Sequence, residues 1–152
     1  MTEVLTLRGE ARDVALAEAQ SVQTMVRDDE LRGRVVDLVA AVDEGAIEGD
    51  AAELLESVLE LGLQSGRIRA YYGPGGEQAA LATLRRLPRG RVRTTSAADV
   101  SKALTALVGE RLDAVRIAAV APGAFTLSIE AGGVEASIRL DASGVRLTSL
   151  GT

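Results

Sequence analysis

Residues 115–150 read VRIAAVAPGAFTLSIEAGGVEASIRLDASGVRLTSL, and the period of this stretch decides the fold class. Val115, Ile117 and Ala119 alternate with polar or small residues. So do Phe125, Leu127 and Ile129, with Thr126, Ser128 and Glu130 between and after them, and Val134, Ala136, Ile138 and Leu140, separated by Glu135, Ser137 and Arg139. A fourth run follows from Val145 to Leu150. Alternation with a period of two marks strands with one apolar and one wet face. The separators Ala121-Pro122-Gly123, Ala131-Gly132-Gly133 and Asp141-Ala142-Ser143-Gly144 are short turn sequences, so the simplest topology is a four-stranded antiparallel meander.

Just upstream the period changes to that of a helix. Ser96 and Asp99 have capping-box spacing, Val100, Ala103, Leu104, Leu107 and Val108 share one helical face, and Gly109 stands at the end. This helix, from about residue 97 to 108, is expected to cover the apolar face of the sheet. A helix on a four-stranded meander resembles the cystatin-like and nuclear-transport-factor-like folds over residues 97–150, by topology alone. Some members of those folds bind hydrophobic ligands or transfer protons in a cone-shaped cavity, so the resemblance implies a cavity here. The inward positions, from Val115 to Leu140, carry no carboxylate, hydroxyl or basic group, and a proton-transfer site needs one within hydrogen-bond reach of substrate. They read as packed core.

The N-terminal part is helical. Ala11, Ala15, Ala19, Val22 and Met25 or Val26 recur at steps of three and four. A second stripe, Leu31, Val35, Leu38, Val39 and Val42, follows the acids Asp28, Asp29 and Glu30 and stops at Gly45; it fits burial within the chain or helix-mediated dimerisation. After Ala46 to Gly49, Asp50 and Glu53 have capping-box spacing before Leu54, Leu55, Val58 and Leu61, with Gly66 as the C-terminal cap. About three helices in a hairpin or bundle result.

The middle segment begins with Arg67-Ile68-Arg69-Ala70-Tyr71-Tyr72, whose brief alternation suits a short strand or an extended connector. Gly73-Pro74-Gly75-Gly76-Glu77 then enters a helix marked by Ala80, Leu81, Leu84 and Leu87 and stopped by Pro88 and Gly90. The expected architecture is therefore α+β. It comprises an acidic helical region (1–66), a Gly/Arg-rich loop and helix (67–95), and a helix with the sheet (96–152), in one compact unit or two subdomains.

Composition restricts the chemistry. In 152 residues there is no His, Cys or Trp. A thiol nucleophile, disulfide, imidazole base or thiolate-bound metal is thereby excluded. Acids are present at Asp28-Asp29-Glu30 and around Asp43, Glu44, Glu48 and Asp50, but their spacing is not that of the helix–loop–helix calcium site, so no metal or cofactor is expected. Nucleophile-elbow, Ser-x-x-Lys and paired-carboxylate patterns are missing, and the single Lys102 has no cradle to lower its pKa, so the chain is not expected to be an enzyme. Neither a signal peptide nor a membrane span is visible in the sequence, and a cytoplasmic protein that meets no membrane is expected.

The net charge of −5 conceals a division. Residues 1–66 hold fifteen acids and five bases, residues 67–93 one acid and seven arginines, and residues 94–152 six acids and five bases. The arginines are Arg67, Arg69, Arg85, Arg86, Arg89, Arg91 and Arg93. They suit phosphate or nucleic acid, or pairing with the protein's own acidic helices; in an acidic chain without aromatic interleaving a nucleic-acid partner is not favoured. Glycines at a helix entry leave backbone N–H groups unshielded, so Tyr71, Tyr72, Gly73, Gly75 and Gly76, flanked by those arginines, form a candidate ligand or anion site. The alternative is a tight chain reversal with both tyrosines packed on neighbouring helices.

Three functional expectations follow. The foremost is a non-catalytic interaction or accessory protein, a scaffold or assembly factor that docks a protein partner or itself through charged helical surfaces. The string from Arg67 to Gly90 resembles small accessory proteins of bacterial multisubunit enzymes, which implies the same role. The others are a small-ligand or anion-binding module using the Tyr71–Glu77 loop, and an arginine-mediated nucleic-acid binder.

Overall fold

The computed structural model describes residues 3–152. It divides into two compact units, Met1–Arg91 and Val92–Thr152, and is α+β as expected.

The first unit is helical. A two-residue strand, β1 (Leu5–Thr6), leads into α1 (Gly9–Met25) and α2 (Asp29–Glu44); β2 (Ala46–Ile47) pairs antiparallel with β1, and α3 (Gly49–Gln64) and α4 (Arg67–Arg86) follow. Asp28 caps α2 by accepting the Leu31 N–H at 2.8 Å, and Gly45 ends it with φ 76°, a left-handed turn that favours glycine. The stripe Val35, Leu38 and Val42 is fully buried within this unit, which settles its use in favour of intramolecular packing. Leu55, Leu59, Ile68 and Leu87 meet it from α3 and from α4 and its C-terminal end, with Ala15 and Ala19 of α1 allowing close helix approach.

Several local expectations are corrected. Asp50 lies in the first turn of α3 and does not cap it; Glu48 is the N-cap residue, without a side-chain bond. The buried stripe of α3 is Ala52, Leu55, Val58, Leu59 and Gly62, and Leu61 is exposed. Arg67 to Tyr72 is helical instead of extended, because Ile68 is drawn into the core and three residues of alternation cannot outweigh that burial. Gly66 (φ 75°) is the pivot between α3 and α4. Pro88 stops one helix and starts the next: α5 runs Pro88–Leu104, so the Ser96/Asp99 spacing is interior to a helix instead of its start. Proline at the first helical position loses no hydrogen bond, which is why a residue read as a stop can also be a start.

The boundary between the units falls within α5. A short 3₁₀ turn (Thr105–Leu107) follows, then β3 (Leu112–Ala121), β4 (Ala124–Ala131), β5 (Val134–Asp141) and β6 (Gly144–Gly151). They form an antiparallel sheet in the order β3-β4-β5-β6. Its turns close on the pairs Ala121↔Ala124, Ala131↔Val134 and Asp141↔Gly144, each enclosing two residues as the separators require. Gly132 (φ 57°) and Gly133 (φ 80°) supply the left-handed conformations of the middle hairpin.

Register aligns the alternating residues into rows across the sheet. Val115, Ile129, Ala136 and Leu150 form one row; Ile117, Leu127, Ile138 and Leu147 the next; Ala119, Phe125, Leu140 and Val145 the third. The expectation that this whole face is packed core is corrected. Cover is greatest at the middle of β5, where Ala136 is buried and Ile138 is 3% exposed, and is lost towards β3, where Val115 is 51% and Ile117 65% exposed. Within this unit α5 contributes Val100 to the buried set and lays Arg93 against the turn at Gly144. A single helix spans about 10 Å and strands repeat every 4.8 Å or so, so one helix cannot cover four strands.

Candidate functional site

Tyr71, Tyr72, Gly73, Gly75 and Gly76 do not form a loop. They lie inside α4, which bends at Gly73 (φ 68°, ψ −171°) and resumes with Pro74 as its first residue. Each remaining glycine has a steric reason: a Cβ on Gly76 would stand 2.2 Å from that of Tyr72, and a Cβ on Gly75 would stand 3.2 Å from the Glu10 carboxylate. The chain's own acid therefore lies beside the helix start that had suited an anion. Tyr71 does not pack on neighbouring helices; it is 74% exposed, with the Arg67 guanidinium carbon 5.1 Å from its ring centre.

Tyr72 and Arg67 instead converge on a residue the sequence reading overlooked. Glu18 of α1 is buried, and its Oε1 accepts from the Tyr72 hydroxyl at 3.1 Å and from Arg67 Nε at 3.2 Å. Burial, followed by the hydrogen bond and charge of Glu18, pushes the Tyr72 hydroxyl above its ordinary value of 10.0. The trio pins α4 to α1. Beside it lies a cavity of about 420 Å³, with Val22, Met25, Val58 and Leu61 as apolar walls. Two donors already hold one oxygen of Glu18, so the carboxylate acts first as a brace.

A second overlooked acid, Glu56 of α3, is 0% exposed. Its Oε1 accepts the Gly90 N–H at 2.8 Å and its Oε2 the Arg89 N–H at 3.3 Å, while Arg89 Nε stands 3.1 Å from Oε2. This carboxylate supplies the missing partners at the start of α5 and sits where a helix dipole favours negative charge. Gly90 is obligatory there, because a Cβ would fall 1.7 Å from the Leu84 carbonyl oxygen. Both acids carry a legible signal in retrospect: Glu18 falls three residues after Ala15 and Glu56 four after Ala52, each on an apolar stripe.

The arginines divide in the same way. Arg69 faces Glu77 at 3.6 Å, Arg86 donates to the Thr6 carbonyl at 3.1 Å, Arg89 also reaches Glu60 at 3.5 Å, and Arg91 pairs with Glu3. The Arg91 guanidinium holds the Glu3 carboxyl below its ordinary value. With Arg67 on Glu18, at least five of the seven are engaged by acids or a carbonyl of the helical unit, while Arg85 is exposed in the last turn of α4 and Arg93 lies against the turn at Gly144. The cluster in sequence is a set of braces in space. Among the described residues no group of three or more acids is placed to hold a metal, and no helix is long and apolar enough to cross a membrane.

Several exposed apolar side chains lie on the first strand of the sheet in the second unit. Leu112, Val115, Ile117 and Val120 of β3 and Phe125 of β4 are all exposed, along with Val108 just before the sheet. Single exposed apolar residues are ordinary, whereas several on one strand are not. On the polar face Arg116 pairs with Glu130 at 2.9 Å, and Arg139 and Arg146 flank Asp141 at 3.3 and 3.7 Å. Compared with family models, curated proteins and solved structures, the chain matches none of them.

Proposed function

We propose that this chain is a non-catalytic, cytoplasmic interaction protein, an accessory or assembly subunit of the kind that bacterial multisubunit enzymes use. Its docking surface is the open flank of the sheet in preference to its charged helices. The observation that carries this reading is the exposure of Val115, Ile117 and Phe125, three members of an otherwise aligned apolar face. An uncovered row of this kind costs solubility, and occupation by a protein surface offsets that cost. The internal pairing of Arg67, Arg69, Arg89 and Arg91 speaks against the anion and nucleic-acid readings, since each phosphate contact must first release an acid.

The test compares the full chain with Ile117→Lys, after circular dichroism and melting have established that both are folded. Self-association is measured by light scattering, and quantitative capture from an extract of the native source is measured alongside. The reading predicts that whichever association the wild type shows is lost in Ile117→Lys and retained in Arg85→Glu. Equal behaviour of wild type and Ile117→Lys in both measurements refutes it.

A further inference from the structure

β3 is an edge strand, ten residues long, whose outer side has no neighbour within the sheet. Natural edge strands are blunted by lysine, proline, mid-strand bulges or inward charges, because unpaired N–H and C=O groups template further pairing. The two edges of this sheet differ in that respect. β6 begins and ends with glycine and has a register irregularity opposite Ser137 and Ile138, near its middle, while its Arg146, like Arg116 of β3, is already paired with an acid. β3 runs regularly from Ala114 to Ala119, its irregularities lying at the two ends, and its only charge in that span is Arg116, already paired with Glu130. Pro122 stands beyond the strand. The edge is regular in register and without proline or lysine over six consecutive residues, Ala114 to Ala119.

From this contrast, and resting on the docking reading above, we infer that β3 pairs with β3 of a second copy, antiparallel, about a two-fold axis at Ile117. A two-fold interface must be complementary to itself, and among the axes through β3 those at Arg116 and Ile117 pair five residues of the regular Ala114–Ala119 span with one another. With Ile117 opposite Ile117, Val115 faces Ala119 and Arg116 faces Ala118. A shift of the axis by one residue towards the N-terminus sets Arg116 directly against Arg116, which like-charge repulsion disfavours. The parity of the chosen register keeps every apolar side chain on one face. Two four-stranded sheets thus become one continuous sheet, and the exposed columns of Val115, Ile117 and Ala119 lie side by side, each covering the flank of the other.

The absence of cysteine makes the register directly readable. Residues directly opposite in an antiparallel pair have Cα atoms roughly 4.5–5.5 Å apart, within disulfide range, so Ile117→Cys links two copies covalently under mild oxidation. Ala119→Cys faces residue 115 of the other copy; its own counterpart is four residues away, roughly 13 Å, beyond disulfide reach. Light scattering on the full chain is expected to give twice the chain mass. Ile117→Lys is expected to raise the dimer dissociation constant about a hundredfold or more with melting of the monomer unchanged. Ser149→Lys on β6 leaves the dimer intact. A strict monomer at millimolar concentration overturns the inference, and so does a dimer indifferent to Ile117→Lys, or one in which Ala119→Cys cross-links as readily as Ile117→Cys. If the chain is monomeric yet captures another protein through an Ile117-dependent surface, the self-pairing fails and the docking function stands.

Discussion

In the helical unit Leu38, Leu55 and Ile68 are wholly buried and Arg67 and Arg89 answer acids on neighbouring helices; in the sheet unit Ile138 is buried while Ile117, two strands away in the same row, stands in solvent. Charge was the conspicuous feature of the sequence, and it lies mostly in the unit whose surface needs are already met. The plain alternation of valine, isoleucine and alanine in β3 drew no attention as a site, yet it is there that apolar surface is left over. Charged clusters thus report on internal bracing when acids and arginines occur in comparable numbers on packed helices. On the proposed reading, alternating strands report on association when the helix above them is too narrow for the sheet.

The sharpest way to break this contrast is to remove a brace. Glu56→Ala takes the buried acceptor away from the first N–H groups of α5, and with each such loss costing about 1–3 kcal/mol it is expected to lower unfolding free energy by about 2–5 kcal/mol in denaturant titration. An effect below about 1 kcal/mol denies Glu56 its role. Next comes a matched pair of truncations: Leu38→Ala is expected to cost about 2–5 kcal/mol, and Ile117→Ala no more than about 0.5 kcal/mol in dilute solution. Similar values for the two erase the difference between the units. Gly76→Ala forces a methyl group onto Tyr72 and is expected to cost about 1–3 kcal/mol, visible as a lowered Tm.

The smallest effects are read against pH. The folded-state value of Tyr72 is raised, so its contribution is fully present below the ordinary value of 10.0 and is lost as pH rises through the higher folded value. Tyr72→Phe is expected to lack this alkaline decline; parallel stability profiles from pH 9 to 11 in wild type and variant argue that the hydroxyl does not meet Glu18. Glu3 in the helical unit and Asp141 in the sheet unit have lowered values, through Arg91 and through the Ser143 hydroxyl and N–H respectively. Their contributions are present above their ordinary values of 4.5 and 3.8 and fade as pH falls through the folded ones. Glu3 is exposed and Asp141 half-buried, so added salt is expected to weaken the acid limb of Glu3 more than that of Asp141.

Much of the fold was legible in the residues. The period of two from Val115 to Leu150 specified the meander and its turns, and Gly45 marked the end of α2, because these signals are local. Longer-range facts were not legible. Arg67 to Tyr72 looked extended until Ile68 is seen buried among four helices, and Pro88 read as a stop without its role as a start. The candidate site at Tyr71 to Gly76 was placed by the habits of glycine-rich segments, but its glycines answer to Tyr72 and Glu10, contacts that depend on which helices become neighbours. Nothing in the count of fifteen acids over residues 1–66 singles out Glu18 and Glu56; a charged residue on an apolar stripe is the signal. That the helix leaves β3 bare follows from widths in space, which no period reports.

Hydrogen exchange on the full chain at low and high protein concentration tests the central claim most directly, since it reads each backbone amide in place. The account predicts that amides of residues 114–120 on the outer side of β3 become markedly slower as concentration rises, while those of α1 to α4 and of β6 do not change. Exchange along β3 that is rapid and independent of concentration, or protection that appears instead on the helices, contradicts it.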